Sequence, residues 1–190
     1  MEINMKKVLL FILIAVLSIS SFASCKDNSS NESDASDTTS KSVINVSCKK
    51  LLDIAINIDN NDGITVYTSE GTELGEYLDE FMISDLYGSL TNTPDFSIVD
   101  SYAVFMTDEQ VVKECHIFKP KKKADAATIK EYLENRFTRV KEKFVGYLPE
   151  QVAYAEKGKV FEYGDFVIYI TTISNNDNII KAIKNKIDGK

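Results

Sequence analysis

The chain has 190 residues, a net charge of −7 at pH 7 and three cysteines. This length fits one domain with short attachments. The acidic balance argues against a nucleic-acid partner, which needs a basic face to displace counterions from phosphate. Three cysteines are too few for a disulfide scaffold. Composition therefore predicts an ordinary globular protein and says little about its activity.

Residues 1–24 have the pattern of a bacterial lipoprotein signal peptide. Two lysines precede an unbroken apolar run of ten residues, which is too short to span a bilayer comfortably. The sequence FASC then places two small residues directly before Cys25, as in a lipobox. We expect cleavage before Cys25 and lipidation of its thiol. The alternatives left open are an ordinary secretory signal cut near Ala23, and a start at Met1 or at Met5.

Residues 25–42 join this cysteine to the rest of the chain. After Cys25 they are polar or charged except for Ala35, so the segment has no side chains that could repay the entropy of ordering. We expect a disordered spacer. Because two acyl chains anchor a protein stably, the sequence predicts a lipid-anchored protein on the extracytoplasmic face of the cell membrane.

Residues 43–190 are predicted to form a single domain, in which helix and strand patterns follow one another. The first half contains a helix at 47–58, a strand at 64–68, a helix at 74–86 and strands at 97–106 and 111–119. The second half contains a long helix at 125–145, a short helix at 149–156, strands at 160–163 and 166–172, and a last helix that begins at Asn176 or Asp177.

Two of these patterns are the most regular. The apolar residues of the long helix recur every three or four positions: Ile129, Leu133, Phe137, Val140 and Phe144. Gly164-Asp165 joins the last two strands as a two-residue hairpin turn. Because hairpins alternate with helices, the sequence predicts an α+β fold, with an antiparallel sheet built from two hairpins and helices packed on one face.

Several short motifs follow one another along the chain. They are LYG at 86–88, VDSYAVF at 99–105, ECHIFK at 114–119, KF at 143–144, YLPEQ at 147–151 and GDFV at 164–167. With them, residues 75–188 resemble the domain-of-unknown-function family numbered 4358, which is similar to small lipoproteins of clostridia and their relatives. The resemblance implies an envelope location and a fold class, and it implies no activity. The chain departs from the family pattern at Cys115 and His116, where apolar residues are expected.

His116 is the only histidine, and on a strand it shares one face with Glu114. The pair suggests a metal site, or a general base with an orienting carboxylate. However, a closed zinc site needs four ligands and a catalytic one usually three, and no other residues are spaced to supply them. We therefore interpret His116 as a partly buried or edge histidine, and we predict no metal and no cofactor.

Once Cys25 is lipidated, Cys48 and Cys115 remain. They are either a disulfide that closes a long loop, worth about 3–4 kcal/mol, or two small buried hydrophobic residues. Cys115 falls at a position expected to be apolar, which favours buried thiols. The only dense basic run, at residues 119–123, is either a contact for an anionic wall polymer or a solvated loop.

No motif of a known catalytic class occurs in the sequence. We therefore expect a non-catalytic binding or accessory module of the cell envelope, whose partners are the membrane, through the anchor, and another envelope protein or a wall polymer. The alternative is a small envelope hydrolase that uses carboxylates such as Glu114 and Asp100. It requires two facing carboxylates, at least one with a raised pKa.

Overall fold

The computed structural model describes residues 45–59, 63–89, 91–107 and 110–190. The predicted signal peptide, Cys25 and the spacer lie outside the described residues, as do residues 108 and 109 in the loop between the central strands. In chain order, the described residues form α1 (Cys48–Asp59), β1 (Ile64–Thr68), α2 (Glu80–Tyr87), β2 (Val99–Thr107), β3 (Glu114–Pro120), α3 (Ala126–Lys143), α4 (Pro149–Ala155), β4 (Lys159–Tyr163), β5 (Phe166–Thr171) and α5 (Asn176–Ile187).

The strands form one antiparallel sheet in the order β1-β2-β3-β5-β4. The α+β fold class predicted from the sequence is confirmed. Strands β2 and β3 pair as one hairpin and β4 and β5 as another, and β1 adds an edge strand beside β2. Strand β3 therefore lies in the middle of the sheet.

Helices pack on both faces of this sheet, so the prediction that they cover one face is wrong. On one face, α1 and α5 cover side chains that include Phe105, Ile117 and Ile168. On the other face, α2 and α3 cover the alternate side chains, which include Val104, Phe118 and Val167. The physical reason is that both faces of the central strands are apolar, and each apolar face must be buried against another element.

Helix α2 is shorter than the helix predicted at 74–86. No helix can run through Gly75, whose φ of 92° is a left-handed conformation, and α2 begins only at Glu80. Asp79 then caps the helix, since its Oδ1 accepts a hydrogen bond from the Met82 amide at 2.8 Å. Two large apolar residues of the predicted range are exposed: Leu74 and Phe81.

Four of the five members of the apolar stripe predicted for α3 are buried. Ile129 and Leu133 pack on the sheet, whereas Val140 and Phe144 pack in a separate cluster with Val112 and with Ala155 of α4. Phe137 is half-buried. Its ring centroid lies 5.7 Å from the ring centroid of Tyr169 and 4.4 Å from Nζ of Lys141. The outward side of α3 is charged. No helix in the described part of the chain is both long and apolar enough to cross a bilayer.

Candidate functional site

His116 is fully buried on the central strand β3, beneath α2 and α3. Its Nδ1 lies 2.8 Å from the Tyr87 hydroxyl at the end of α2. Its Nε2 lies 3.1 Å from Oε2 of Glu114, two positions away on the same strand face. The interpretation of His116 as a partly buried or edge residue is therefore wrong, because both neighbouring strands and two helices enclose it.

Arg136 of α3, which is partly exposed, completes this group of polar side chains. Its Nε donates to Oε2 of Glu114 at 2.9 Å, and its Nη2 donates to Oε1 of the same carboxylate. The guanidinium therefore holds the carboxylate with two hydrogen bonds, the geometry that gives the strongest side-chain ion pairs. We call Tyr87, Glu114, His116 and Arg136 the His116 cluster.

Sequence reasoning found Glu114 and His116 but not Arg136. A signal for it was present, because Arg136 falls between Leu133 and Val140 at the spacing of the apolar stripe of α3. A charged residue on the buried side of a helix needs a partner of opposite charge. Glu114 is this partner, and it is the only carboxylate among the candidate site residues on β3.

The charge states of the cluster follow from its contacts. Burial raises the pKa of the Glu114 carboxyl, but the Arg136 guanidinium and the hydrogen bonds from His116 and Arg136 outweigh burial and lower this pKa to about 2. Burial lowers the pKa of His116 and outweighs the opposing effect of Glu114. At neutral pH the carboxylate is therefore ionised and the imidazole is neutral.

These charge states assign the protons of the histidine. A carboxylate only accepts hydrogen bonds, so Nε2 carries the proton and donates a hydrogen bond to Glu114. Nδ1 then accepts a hydrogen bond from the Tyr87 hydroxyl, whose pKa is raised by burial and which stays protonated. Each polar group of His116 is thus engaged inside the domain.

Two hydroxyl groups of β5 lie beside the cluster. Tyr169 pairs with His116 and Thr171 with Glu114 in the strand register, and both residues are fully buried. Their hydroxyl oxygens have no hydrogen-bond partner among the described residues. Gly158 closes this corner, because a methyl group there would lie 2.9 Å from Phe137 and 3.1 Å from the Thr171 Cβ. The cluster is therefore sealed from the surface on this side.

The structure does not bring together the two carboxylates of the hydrolase hypothesis. Asp100 is exposed near the start of β2, where Lys119 lies 3.5 Å from its Oδ2. Glu114 lies opposite Met106, six strand positions away, which corresponds to about 20 Å. Carboxylates that act together on a glycosidic bond are about 5–9.5 Å apart. The pKa of Glu114 is also lowered, whereas a general acid needs a raised one.

The two cysteines of the domain are free, buried thiols in the same core cluster. The Sγ atom of Cys48 lies 3.5 Å from the carbonyl oxygen of Ser101, while Cys115 pairs with Phe105. Ser101 and Phe105 are four strand positions apart, about 13 Å, whereas the Cα atoms of a disulfide lie within about 7 Å. The disulfide considered from the sequence is not formed. Among the described residues, no metal-binding group of His, Cys, Asp and Glu is present.

The pKa shifts predict that the domain loses stability in acid, because the unfolded chain binds more protons than the folded one. The Glu114 contribution is complete above the ordinary pKa of 4.5 and is lost as the pH falls towards 2. It amounts to about 3 kcal/mol. The lowered pKa of His116 adds a loss that begins below its ordinary value of 6.5.

Thermal unfolding between pH 7 and pH 2 measures this dependence. The double variant Glu114→Gln/Arg136→Met should show a smaller fall of Tm below pH 4.5 than the natural chain, because the carboxyl that titrates is gone. Equal slopes for the two proteins would show that other groups cause the acid sensitivity.

The basic run at 119–123 borders an open cleft of about 320 Å³. Its lining residues are Lys119, Pro120, Lys121, Lys123, Ala126, Glu162, Gly164, Asp165 and Phe166. Lys119 lies at the end of β3, and Lys121 and Lys123 lie in the connection between β3 and α3. We call these three lysines the cationic wall. Glu162 and Asp165 come from the β4–β5 hairpin, and we call them the anionic wall. The sequence predicted the first wall as a basic loop but gave no reason to expect the second beside it.

The family comparison covers the region that contains both features. Residues 79–172 match a family model described as a domain of unknown function (DUF4358). The match begins at the cap of α2 and ends just after β5, so it includes the whole His116 cluster and every residue of the cleft. No curated protein and no solved structure matches the chain.

Proposed function

The chain belongs to the DUF4358 family through residues 79–172, and from this premise we propose that it is a lipid-anchored, non-catalytic binding or accessory module of the cell envelope. The proposed location is the extracytoplasmic face of the cell membrane, with Cys25 as the lipidated residue. The proposed partner of the domain is another envelope protein or a wall polymer.

One contrast within the domain supports a binding role. The side chains with the most reactive chemistry, Glu114 and His116, lie in the closed cluster and hydrogen-bond to groups of the domain itself. The charged side chains of the cleft are open to solvent instead. A cleft whose charges are available suits recognition of a partner, while the cluster suits stabilisation of the core.

The proposed anchor rests on the FASC sequence after the apolar run of residues 8–17. Cys25→Ala is expected to move the protein out of the membrane fraction, because the variant has no thiol to receive the lipid. Cells are fractionated and the membranes are washed with 0.5 M salt, in which ionic association is screened over about 4 Å.

The matched control for this experiment is Cys48→Ala, which also removes one cysteine but leaves the FASC sequence intact. We expect this variant to stay in the membrane fraction. Membrane retention of Cys25→Ala equal to that of the natural chain would contradict lipid anchoring through Cys25.

The proposed binding role is tested by photocrosslinking on intact cells. A photoreactive residue is placed at Lys122, beside the cleft, and in a second variant at Lys181, which is exposed on α5. We expect the first position to crosslink to one recurrent envelope component and the second to give no such product. Identical products from both positions, or none from either, would contradict recognition through the cleft.

A further inference from the structure

The lining of the cleft carries both lysines and carboxylates, and the two walls form no ion pair with each other. Lys119 is partly neutralised by Asp100 outside the cleft. The side chains of Lys121 and Lys123, and those of Glu162 and Asp165, form no ion pair with any described residue. Each wall therefore offers two charges that are outside any ion pair of the described residues, although Lys121 is close enough to Asp95 to help lower the pKa of that carboxyl.

The cationic wall is held in place by its own backbone. The Lys121 amide donates to the carbonyl oxygen of Ile98 at 2.9 Å. The Lys122 amide donates to Oδ2 of Asp125 at 3.1 Å, and the Asp125 amide donates back to the carbonyl oxygen of Lys122 at 2.9 Å. Although the lysine side chains are flexible, the segment from which they project is fixed before any ligand arrives.

The anionic wall is fixed by the hairpin turn. Gly164 has a φ of 58°, a left-handed conformation that the two-residue turn requires. The turn is held against the end of α5, because the Tyr163 hydroxyl donates to Oδ1 of Asp188 at 2.8 Å and Ile187 packs closely over Gly164. The two segments that carry the lysines and the carboxylates of the cleft are thus each held in place by contacts of their own.

From this arrangement we propose that the cleft binds a small zwitterionic ligand, a short peptide with a free carboxylate and a free ammonium group. A purely anionic ligand would be attracted by the lysines but repelled by Glu162 and Asp165. A purely cationic ligand would be attracted by these carboxylates but repelled by the lysines. A ligand with both charges complements both walls. The volume of about 320 Å³ lies at the lower end of the range for small-molecule sites.

The inference rests on the proposed binding function and names the chemistry of its ligand. Three probes with the same backbone test it: trialanine, which is zwitterionic; N-acetyl-trialanine, which is anionic; and trialanine amide, which is cationic. Their affinities for the full-length protein in detergent are measured by isothermal titration calorimetry at pH 7. We expect trialanine to bind at least about fivefold more tightly than either other probe, since two exposed ion pairs are lost with each blocked terminus.

Two double variants separate the walls. Lys121→Ala/Lys123→Ala is expected to weaken trialanine and N-acetyl-trialanine and to spare trialanine amide. Glu162→Gln/Asp165→Asn is expected to weaken trialanine and trialanine amide and to spare the acetylated probe. The matched control is Lys50→Ala/Lys181→Ala, which removes two exposed lysines from α1 and α5, outside the cleft, and should change no affinity.

Several outcomes would overturn the inference: no binding of trialanine, equal affinity for all three probes, or the same effect from the control as from the cleft variants. These outcomes are distinct from failure of the proposed function. A protein that crosslinks to a partner through position 122 but does not prefer trialanine keeps its binding role and loses only the zwitterion assignment.

Discussion

Arg136→Ala is expected to destabilise the domain by about 3–5 kcal/mol, the larger of the two stability effects that the structure predicts. The variant leaves the Glu114 carboxylate buried, with only His116 as a hydrogen-bond donor among its present partners. Glu114 is only 6% exposed in the folded domain, so loss of the guanidinium leaves its charge poorly hydrated. Urea unfolding followed by circular dichroism measures the loss as a lower midpoint at an unchanged slope.

Arg139 provides the matched control, since it lies one turn further along the same helix. It donates hydrogen bonds to the carbonyl oxygens of Asp85 and Gly88 but has no carboxylate partner among the described residues. Arg139→Ala should therefore cost about 0.5–1.5 kcal/mol for each net hydrogen bond lost, with no charge left buried. If the two substitutions cost the same, the ion pair with Glu114 is not what makes Arg136 important.

Removing both charges should be much less harmful than removing one. In Glu114→Gln/Arg136→Met, the amide oxygen of glutamine still accepts the hydrogen bond from His116, and the methionine fills the space of the arginine stem. Replacement of a whole buried ion pair by well-packed hydrophobic residues is often neutral in its effect on the free energy of unfolding, and here a neutral glutamine amide is left in place of an unpaired charge. A double variant as unstable as Arg136→Ala would mean that the arginine stabilises the domain by packing rather than by charge.

Leu52→Ala and Leu133→Ala are each expected to cost about 2–5 kcal/mol, because both side chains are fully buried and each substitution leaves a cavity. The two residues lie on opposite faces of the sheet, Leu52 on α1 and Leu133 on α3. The pair therefore tests the two-faced architecture. If helices covered one face only, one of these substitutions would have almost no effect on the midpoint of urea unfolding.

Exposed residues of the same two helices serve as controls. Lys50→Ala on α1 and Glu131→Ala on α3 should change the free energy of unfolding by no more than about 0.5 kcal/mol. A large effect of either control would show that the assigned buried side of its helix is incorrect.

The order of helices and strands could be predicted from the sequence, whereas their layering could not. The hairpin at Gly164-Asp165 and the stripe of α3 have strong local signals, a turn dipeptide and a period of three to four residues. The layering has no such signal. In β5 all six residues are buried, so alternation of apolar and polar side chains could not indicate which face carries a helix.

The His116 cluster shows a similar limit. Glu114 and His116 were paired correctly from the alternation of side chains along one strand. Their other partners come from separate helices, Tyr87 at 29 positions from His116 and Arg136 at 22 positions from Glu114. Only the tertiary packing of α2 and α3 over β3 determines those contacts. The anionic wall of the cleft could not be predicted for the same reason. Its residues are far from the lysines in sequence, and only folding brings the two sets into one cleft.

The burial of both faces of β3 has a consequence for how the sheet is assembled. A strand whose two sides are equally apolar can slip by one residue with little loss of hydrophobic burial, although the slip turns every side chain to the opposite face. In β3 such a slip would move Glu114 and His116 among the side chains of α1 and α5, away from Arg136 and Tyr87. An unpaired carboxylate buried there would be strongly destabilising. The ion pair thus selects one strand alignment from two that apolar packing alone would hardly distinguish, and it protects the nascent sheet against mispairing.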